Sequence, residues 1–482
     1  MTRGERNRCV YAARHLGFFP AALVLFVLSS FFAIGFAPPA EALPSFARQT
    51  GQPCGSCHTD FAGLTPYGRR FKIEGYTNGG GRYQTTLFPD DSTDGGKKEW
   101  VPPISAMLTL GLTNSQVPMT PPTDPFKTNN NVTVSPLSFF WGGAITDHVG
   151  AFAQLTYNGP ATTSGIGYDP FVHSWSWDNT DIRYANSASI GNLNITYAIT
   201  ANNNPTVQDP WNTTPAWGFP YAVSPFLAGY GATPILDGGF PGHVGSVGAY
   251  AYVNDVLYFE TSVYRTLNAT TQSDLGVDPY NSPGQFDAAP YWRLAVEPHW
   301  GNNWLEMGTF GMIANVHPWA FLGTPNTATF PQTDKYTDIG LDTQYQYQGD
   351  NYWFTLRGSY IHEYQKLDAS FLNGPASNPT NELSEARGYA SLAYGNDNRI
   401  VLTGQYFATW GTFDPGLYGG SPDTNGWIGE IAYIPFISST APGWPWINAR
   451  IGLQYTWYDK FNGTTVGASS NNALLLYLWL AM

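Results

Sequence analysis

The stretch "YTDIGLDTQYQYQGDNYWFTLRGSYIHEY", from Tyr336 to Tyr364, decides the fold. Apolar and polar residues alternate along both of its halves, which is the period-2 pattern of β-strands. Between the halves lies Gly349-Asp350-Asn351, and residues of these types tolerate the positive φ that tight hairpins require. The stretch therefore predicts an antiparallel hairpin whose two faces differ in polarity.

The same alternation recurs along the rest of the chain and is interrupted by Gly, Asn and Asp. It predicts about sixteen strands, near 104–116, 132–146, 149–158, 172–188, 192–202, 244–254, 255–266, 290–300, 303–316, 334–348, 351–364, 383–395, 399–410, 425–438, 444–458 and 470–482. Short and long connections alternate, the longest running from Asn203 to His243. An even number of strands joined in this way is typical of an antiparallel outer-membrane β-barrel, which leaves no unpaired edge in lipid.

The last predicted strand, "NNALLLYLWLAM", fits a surface that faces lipid. One of its faces carries Leu474, Leu476, Leu478, Leu480 and Met482. Aromatic residues are 16% of the chain, and we expect most of them at the membrane interfaces and in loops. A soluble β-sandwich or a lectin-like barrel is the alternative, because exported β proteins are also aromatic and acidic. The regular alternation of short and long connections favours the membrane barrel.

The charge balance limits the partners of the chain. Charged residues are 12% of the sequence, and the formal net charge is −13. Phosphate backbones bind basic surfaces, so we predict no nucleic-acid partner. An acidic surface instead attracts small cations.

The first 42 residues have the features of a signal peptide. Arginines precede an apolar run over 16–36, and Ala40 and Ala42 form an A-x-A cleavage pattern ahead of Leu43. The run is long for a signal peptide, so a transmembrane anchor is the alternative. Pro20 and the cleavage pattern favour a signal peptide.

The mature chain would keep two cysteines, because the third, Cys9, leaves with the signal peptide. Cys54 and Cys57 lie in "CGSCH", which ends at His58. A Cys-x-x-Cys-His run is the attachment pattern of a c-type haem: the thiols bond to the haem vinyl groups and the histidine ligates the iron. A thioredoxin-like dithiol and half of a zinc site share parts of the pattern, but no second cysteine pair and no βαβ context accompany it. We therefore predict one covalent haem c on Cys54 and Cys57, with His58 as an axial ligand.

The sequence leaves the second axial ligand open. After the signal peptide and before Asp147, His58 is the only histidine. Met107 at the start of the first strand is the preferred candidate, with Met119 and the amine of Lys72 as others. His/Met ligation raises the reduction potential of a haem. The alternative role for Met107 is packing in the strand.

A basic segment follows the haem motif. Arg69, Arg70 and Lys72 in "YGRRFKIEGY" carry the charge that pairs with haem propionates. The alternative is the solvated face of a short helix.

The segment "PSFARQTGQPCGSCHTDFAGLTPYGRRFKIEGYT", 44–77, resembles the N-terminal signature of the fused monohaem cytochrome–porin family, the outer-membrane iron oxidases of iron-oxidising bacteria. Its most distinctive parts are "FARQTG" and "YGRRFKIEGY". The resemblance continues through "WDNTDIRYAN" and "NNNPTVQDPWNTTPAWGFPY". It implies a small helical cytochrome c domain, 43–102, that plugs or abuts a porin-like barrel, 103–482, with Cys54, Cys57 and His58 holding the haem.

The resemblance also implies a function. Fe(II) would be oxidised outside the cell, where insoluble ferric iron does no harm, and the electron would pass through the haem to a soluble periplasmic cytochrome or copper protein. Outer-sphere transfer needs no proton-transferring base, so we predict no catalytic side chain. Carboxylates suit transient contact with iron, and Asp209 and Asp237 in the long loop are candidates. Both termini are expected on the periplasmic side of the outer membrane.

Two other functions remain open. The chain could be a porin for solutes whose plug carries a redox group. It could also be a sheath that receives electrons from a separate partner cytochrome.

Overall fold

The alternating stretches form strands that pair with their neighbours in chain order. The computed structural model describes residues 43–88, 99–118, 127–157, 175–229, 232–279, 284–318 and 331–482. The strands are β1 (Ile104–Ser115), β2 (Asn131–Ala144), β3 (Val149–Tyr157), β4 (Trp175–Ile190), β5 (Leu193–Asn202), β6 (Val244–Val253), β7 (Leu257–Thr266), β8 (Ala289–Val296), β9 (His299–Trp300), β10 (Asn303–Val316), β11 (Asp334–Gln348), β12 (Tyr352–Lys366), β13 (Thr380–Tyr394), β14 (Arg399–Gly411), β15 (Thr424–Ile434), β16 (Asn448–Lys460) and β17 (Ala473–Ala481).

The sheet closes on itself, so the chain is an antiparallel β-barrel. β17 pairs with β16 on one side and with β1 on the other. β8 and β9 both pair with β10 and act as one interrupted strand, which gives sixteen strands around the barrel. The hairpin predicted from the opening stretch forms between β11 and β12, in continuous register from Lys335 opposite Lys366 to Gln348 opposite Trp353. The predicted mainly-β, sixteen-stranded antiparallel barrel is confirmed.

The connection from β15 to β16 departs from the expected short turn. The sequence predicted strands over 425–438 and 444–458, but β15 ends at Ile434 and β16 begins at Asn448. Ile437 lies between them, is fully buried, and packs in one cluster with Cys54. Its carbonyl oxygen also accepts a hydrogen bond from the backbone N–H of Gly55 at 3.0 Å. This connection leaves the sheet and, through these contacts, holds the N-terminal segment, residues 43–88.

The outside of the barrel has the layering of a membrane surface. A middle zone exposes aliphatic side chains, among them Ile199, Val247, Val263, Leu294, Leu341, Leu356, Leu392, Leu402 and Ile431. Exposed aromatic residues flank it toward the long-loop end, including Trp175, Tyr360, Tyr364, Trp410 and Trp427, and toward the short-turn end, including Trp300, Tyr394 and Tyr433. An apolar band between two aromatic girdles is the pattern of a transmembrane barrel.

Three short helices lie inside the barrel near the short-turn end: α1 (Pro44–Thr50), α2 (Cys54–Cys57) and α3 (Pro66–Ile73). Thr65 caps α3, because its hydroxyl accepts from the N–H of Gly68 at 3.2 Å and Pro66 starts the first turn. Two further helices, α4 (Ala269–Asp274) and α5 (Asp368–Asn373), lie in long loops, as do the 3-10 turns Pro215–Trp217 and Ala468–Asn471. Within the described ranges, no helix is long and apolar enough to cross a membrane. The predicted signal peptide, 1–42, and Met119 fall outside the described residues.

The long loop from Asn203 to His243 also enters the lumen, from the long-loop end. Its Trp211 is completely buried, and the indole N–H donates to Glu297 at 2.9 Å. Asp209 is buried beside Arg293, which also contacts Glu306 and Asp342 of the barrel wall at 3.2 and 2.7 Å. Removing one partner of a buried ion cluster is costly, so this cluster fixes the loop to the wall.

Candidate functional site

The Cys-x-x-Cys-His run forms one helical turn that is held against α3. The N–H of His58 donates to the carbonyl oxygen of Cys54 at 2.9 Å, which closes the turn. The N–H of Thr65 donates to the carbonyl oxygen of Cys57, also at 2.9 Å. A Cβ built at Gly68 would lie 2.2 Å from that same oxygen, so only glycine permits this approach.

The barrel wall fixes the other side of this turn. Arg399 at the start of β14 donates to the carbonyl oxygens of His58 and Thr59, the latter at 2.7 Å. The ring of Phe61 meets that of His58 edge-on, with 5.9 Å between the centroids. The motif is thereby oriented by strands that lie more than 300 positions away in the sequence.

A cavity of about 400 Å³ adjoins the turn. Cys54, Cys57, His58 and Met107 all line it. The rest of its wall is largely apolar and aromatic, formed by Leu43, Phe46, Phe61, Leu64, Phe71, Tyr76, Phe140, Phe152, Trp217 and Trp479. A largely apolar cavity with a few polar groups is the usual form of a cofactor site.

The residues of this cavity fit a covalent haem c. The two thiols are not joined by a disulfide. Burial lowers the pKa of His58 to about 4 against the opposing charge of Asp60, so the imidazole is neutral near pH 7 and able to ligate iron. Its buried Nδ1 has no hydrogen-bond partner among the described residues. Burial raises the pKa of Cys57 to about 12, whereas redox-active dithiols have lowered thiol pKa values.

Met107 lies on the inner face of β1, where it packs against the cluster of Phe71, Tyr76, Phe140 and Phe152. The structure thus places the preferred sixth-ligand candidate in the wall of the same cavity as His58. Ligation by Met107 remains a prediction, and its packing role is already visible.

The three basic candidates separate in the structure. Lys72 lines the cavity, and its ammonium donates to the backbone oxygen of Asp209 at 2.7 Å and to the side-chain oxygen of Asn212 at 3.0 Å. Burial, assisted by Arg183, lowers the pKa of Lys72 to about 7. Of the three, Lys72 is the one in the cavity wall, and its contact with a propionate stays a prediction.

Arg69 and Arg70 are not in the cavity wall. Arg69 is buried and bound to Glu297 and Gln346, so it ties α3 to the barrel. Arg70 is half-exposed and pairs with Glu74 at 2.8 Å and with Asp255 at 2.9 Å. Both guanidinium groups have carboxylate partners, and contact with propionates would require these pairs to open.

The two loop carboxylates considered for iron contact have structural partners. Asp209 is fully buried, and burial alone would raise its pKa, but Arg293 and Lys72 hold the pKa below its usual range. Asp237 pairs with Arg387 of β13. In the described ranges, no cluster of three or more His, Cys, Asp or Glu side chains has the arrangement of a metal site.

The sequence did not reveal the part of the cavity wall that the long loop supplies. Trp217 lines the cavity, its ring lies 5.0 Å from the ammonium of Lys72, and it meets Phe152 edge-on at 5.7 Å. Asn212 bridges the two lumen segments by donating to the carbonyl oxygen of Ala62 at 2.8 Å. The only signal was the loop's unusual length and its richness in aromatic and amide residues.

The fold and the site together define a class: an outer-membrane-type β-barrel whose lumen holds two inserted segments and a cavity beside the Cys-x-x-Cys-His run. No protein-family model and no curated protein matches the sequence. Among solved structures, the chain is similar to OmpF of Salmonella typhi (11% identity, 79% of this chain and 97% of that chain, TM-score 0.44). It is also similar to OprB of Pseudomonas putida (10%, 78% and 92%, 0.44) and to an anion-selective porin from Comamonas acidovorans (9%, 78% and 98%, 0.41). At these scores the likeness carries no argument, and the barrel assignment rests on the strand pairing.

Proposed function

We propose that this barrel holds one covalent haem c and moves electrons across the outer membrane, from Fe(II) outside to a soluble periplasmic carrier. The observation that carries the proposal is the cavity that Cys54, Cys57, His58 and Met107 share. A haem held there by Cys54, Cys57 and His58 would supply one-electron redox chemistry between its ferric and ferrous states. Fe(II) as the donor follows from the family resemblance.

The chain's own residues supply the attachment, the orientation and the shielding. Cys54 and Cys57 would bond the porphyrin, and His58 would ligate its iron. Arg399 holds the backbone of the motif in place. The aromatic side chains of the wall would limit the access of water to a bound haem, which would strengthen electrostatic interactions within the cavity. Electron transfer needs no proton-transferring base here.

The orientation of the barrel belongs to the same proposal. The N-terminal helices lie near the short-turn end, and outer-membrane barrels place short turns in the periplasm. The two termini would then face the periplasm, where a soluble cytochrome or copper protein collects the electron.

A porin that conducts solutes is the second candidate, and the closed sixteen-stranded barrel favours it. The filled lumen argues against it, because the N-terminal segment and the long loop meet inside the barrel. Arg183 of β4, for example, donates to the carbonyl oxygens of Lys72 and Gln208 at 2.8 and 2.6 Å. A sheath for a partner cytochrome is the third candidate.

Anaerobic titration of the detergent-solubilised protein with Fe(II), read from haem absorption, separates these functions. The proposal expects stoichiometric haem reduction with no partner present. Reduction that begins only after a partner cytochrome is added would favour the sheath. Ion conductance in a planar bilayer together with a haem that Fe(II) does not reduce would favour the porin. A Cys54→Ser, Cys57→Ser variant is the control for absorption changes that do not come from haem.

A further inference from the structure

A β-bulge on the inner wall of the barrel adjoins the cavity. Ala153 of β3 pairs with Thr180 of β4, and Leu155 pairs with Trp177. One residue, Gln154, therefore faces two residues, Asp178 and Asn179. Such a bulge re-aims side chains and is common beside functional sites.

The bulge turns both side chains toward the lumen. Asn179 and Gln154 line the cavity, and the amide of Asn179 donates to the side-chain oxygen of Gln154 at 3.4 Å. The carboxylate of Asp178 accepts from the hydroxyl of Thr156 at 3.0 Å. Thr156 in turn contacts Ser138 at 2.9 Å, and Gln154 donates to Ser138 at 3.1 Å. A chain of neutral polar groups thus links the carboxylate to the cavity.

The long loop fixes this geometry from the other side. The amide of Asn203 donates to the carbonyl oxygen of Asp178 at 2.6 Å, and its side-chain oxygen accepts from the N–H of Thr180 at 2.7 Å. Asn204 donates to the side-chain oxygen of Asn179, also at 2.6 Å. The bulge is therefore a built feature rather than a loose irregularity.

Asp178 differs from Asp181, which lies three positions further along the same strand. Asp181 is completely buried and pairs with Arg183 at 2.7 Å. Asp178 is only partly buried, and the hydrogen bonds to its side chain in the described structure come from neutral groups. A partly buried carboxylate without a cationic partner favours binding of a cation.

We propose that the Asp178–Asn179 bulge is the site where the divalent electron-donor cation pauses beside the cavity. Asp178 supplies the charged oxygen and water fills most of the shell; the side-chain oxygens of Asn179 and Gln154 each already accept one hydrogen bond and offer a second lone pair. Asp178 lies three residues from Trp175, about 10 Å from the long-loop end of β4. A single carboxylate gives weak binding, which suits a donor that must leave after oxidation.

This inference rests on the proposed function for its chemistry. In that function one electron would leave Fe(II), giving Fe(III), and a haem held by Cys54, Cys57 and His58 would accept it, its iron passing from ferric to ferrous with no covalent bond formed or broken. The cation site itself is testable without that reaction, using a divalent ion that is not oxidised under the same conditions.

The first experiment measures Mn(II) binding to the detergent-solubilised holoprotein by electron paramagnetic resonance. Asp178→Asn is expected to weaken binding about tenfold, equivalent to about 1.4 kcal/mol. Asp287→Asn is the matched control, because it removes one carboxylate from the solvent-exposed pair with Arg265 near the long-loop end. Mn(II) binding that is as tight in Asp178→Asn as in the wild type would overturn the site. An equal loss of binding in Asp178→Asn and Asp287→Asn would also overturn it. Asn179→Asp adds a carboxylate to the site and is expected to tighten binding; no change would also overturn it, even if Asp178→Asn failed to fold.

The second experiment follows the rate of haem reduction. Asp178→Asn is expected to slow reduction by Fe(II) about tenfold while leaving reduction by a neutral hydroquinone unchanged. Equal slowing with both reductants would show that the variant disturbs the cavity and would overturn the assignment. If Fe(II) fails to reduce the wild-type haem, the proposed function fails, and the Mn(II) measurement still decides whether the cation site exists.

Discussion

The N-terminal segment, 43–88, whose helices α1 to α3 lie inside the barrel, and the long loop, Asn203–His243, which enters the lumen from the other end, are built differently. The N-terminal segment packs aromatic side chains around a cavity and presents Cys54, Cys57 and His58 to it. The long loop instead buries Trp211 and Asp209 in a dense network of ionic and polar contacts. The N-terminal segment presents the two cysteines and the histidine to the cavity, and the long loop fills the lumen beside the cavity while also supplying Trp217 to its wall. The comparison indicates that the residues that line the cavity and the contacts that anchor the lumen segments can be disturbed by separate substitutions.

The largest effect is expected from the cofactor side of the comparison. Cys54→Ser with Cys57→Ser should abolish covalent haem attachment, because no thiol remains to bond the porphyrin. Haem staining of a denaturing gel measures it, and a heat-dependent shift in gel mobility reports that the barrel still forms. Cys9→Ser is the control, since Cys9 is expected to leave with the signal peptide. Haem staining that survives the double substitution would contradict the assignment.

Arg293→Leu tests whether the buried ion cluster anchors the long loop to the barrel wall. This change leaves Asp209, Glu306 and Asp342 buried without their cation, which costs about 3–5 kcal/mol. The midpoint of urea unfolding should fall accordingly, while covalent haem stays in place. Arg265→Leu is the control, because its pair with Asp287 is exposed and worth about 0–1 kcal/mol. Similar unfolding midpoints for the two variants would show that the ion cluster does not anchor the loop.

Met107→Leu tests whether Met107 ligates the iron, because the change keeps the volume of the side chain and removes the sulfur. If Met107 ligates the iron, the haem spectrum changes and the reduction potential falls. Spectroscopy and a redox titration check both. Met312→Leu, in a different buried cluster, should change neither. An unchanged spectrum and potential in Met107→Leu would leave this residue a packing role alone.

The smallest effect concerns the connection over 435–447, which holds the N-terminal segment. The guanidinium of Arg48 lies 4.6 Å from the ring of Trp446, and Tyr83 meets the same ring edge-on at 5.4 Å. Trp446→Ala should weaken the attachment of the N-terminal segment by about 0.5–1 kcal/mol. The effect is small because Trp446 is 40% exposed, so its cation–π contact is partly solvated. Limited proteolysis near residue 83 should become faster, while Trp300→Ala, at another exposed site of the same end, leaves it unchanged. Equal proteolysis in both variants would show that the contact does not hold the segment.

The strands were predictable because alternation and turn residues are local signals. The boundaries predicted for β11, 334–348, agree with the structure. The end of β15 was predicted too far along the chain because the apolar residue Ile437 continues the alternating pattern of the strand. In the structure Ile437 instead packs with Cys54 outside the sheet. A local pattern does not show which apolar residues lie outside the sheet.

The sequence pointed to the cavity only through the Cys-x-x-Cys-His run. The spacing of Cys54, Cys57 and His58 marked them as candidates, and the structure places them with Met107 in the wall of one cavity, where haem attachment stays a prediction. The roles of Arg69 and Asp209 could not be predicted from the sequence, because their ion-pair partners, Glu297 and Arg293, lie far away along the chain. The role of Asp178 could not be predicted either. The bulge at Asp178 depends on pairing between two strands, which no single stretch encodes.

The central claim is that the cavity beside Cys54, Cys57 and His58 is a haem pocket inside a closed barrel. The intact mass of the mature protein, measured after purification from the outer membrane, tests it most directly. We expect the mass of the processed chain plus one porphyrin with its iron. Two unmodified thiols, or a disulfide between Cys54 and Cys57, would contradict the account.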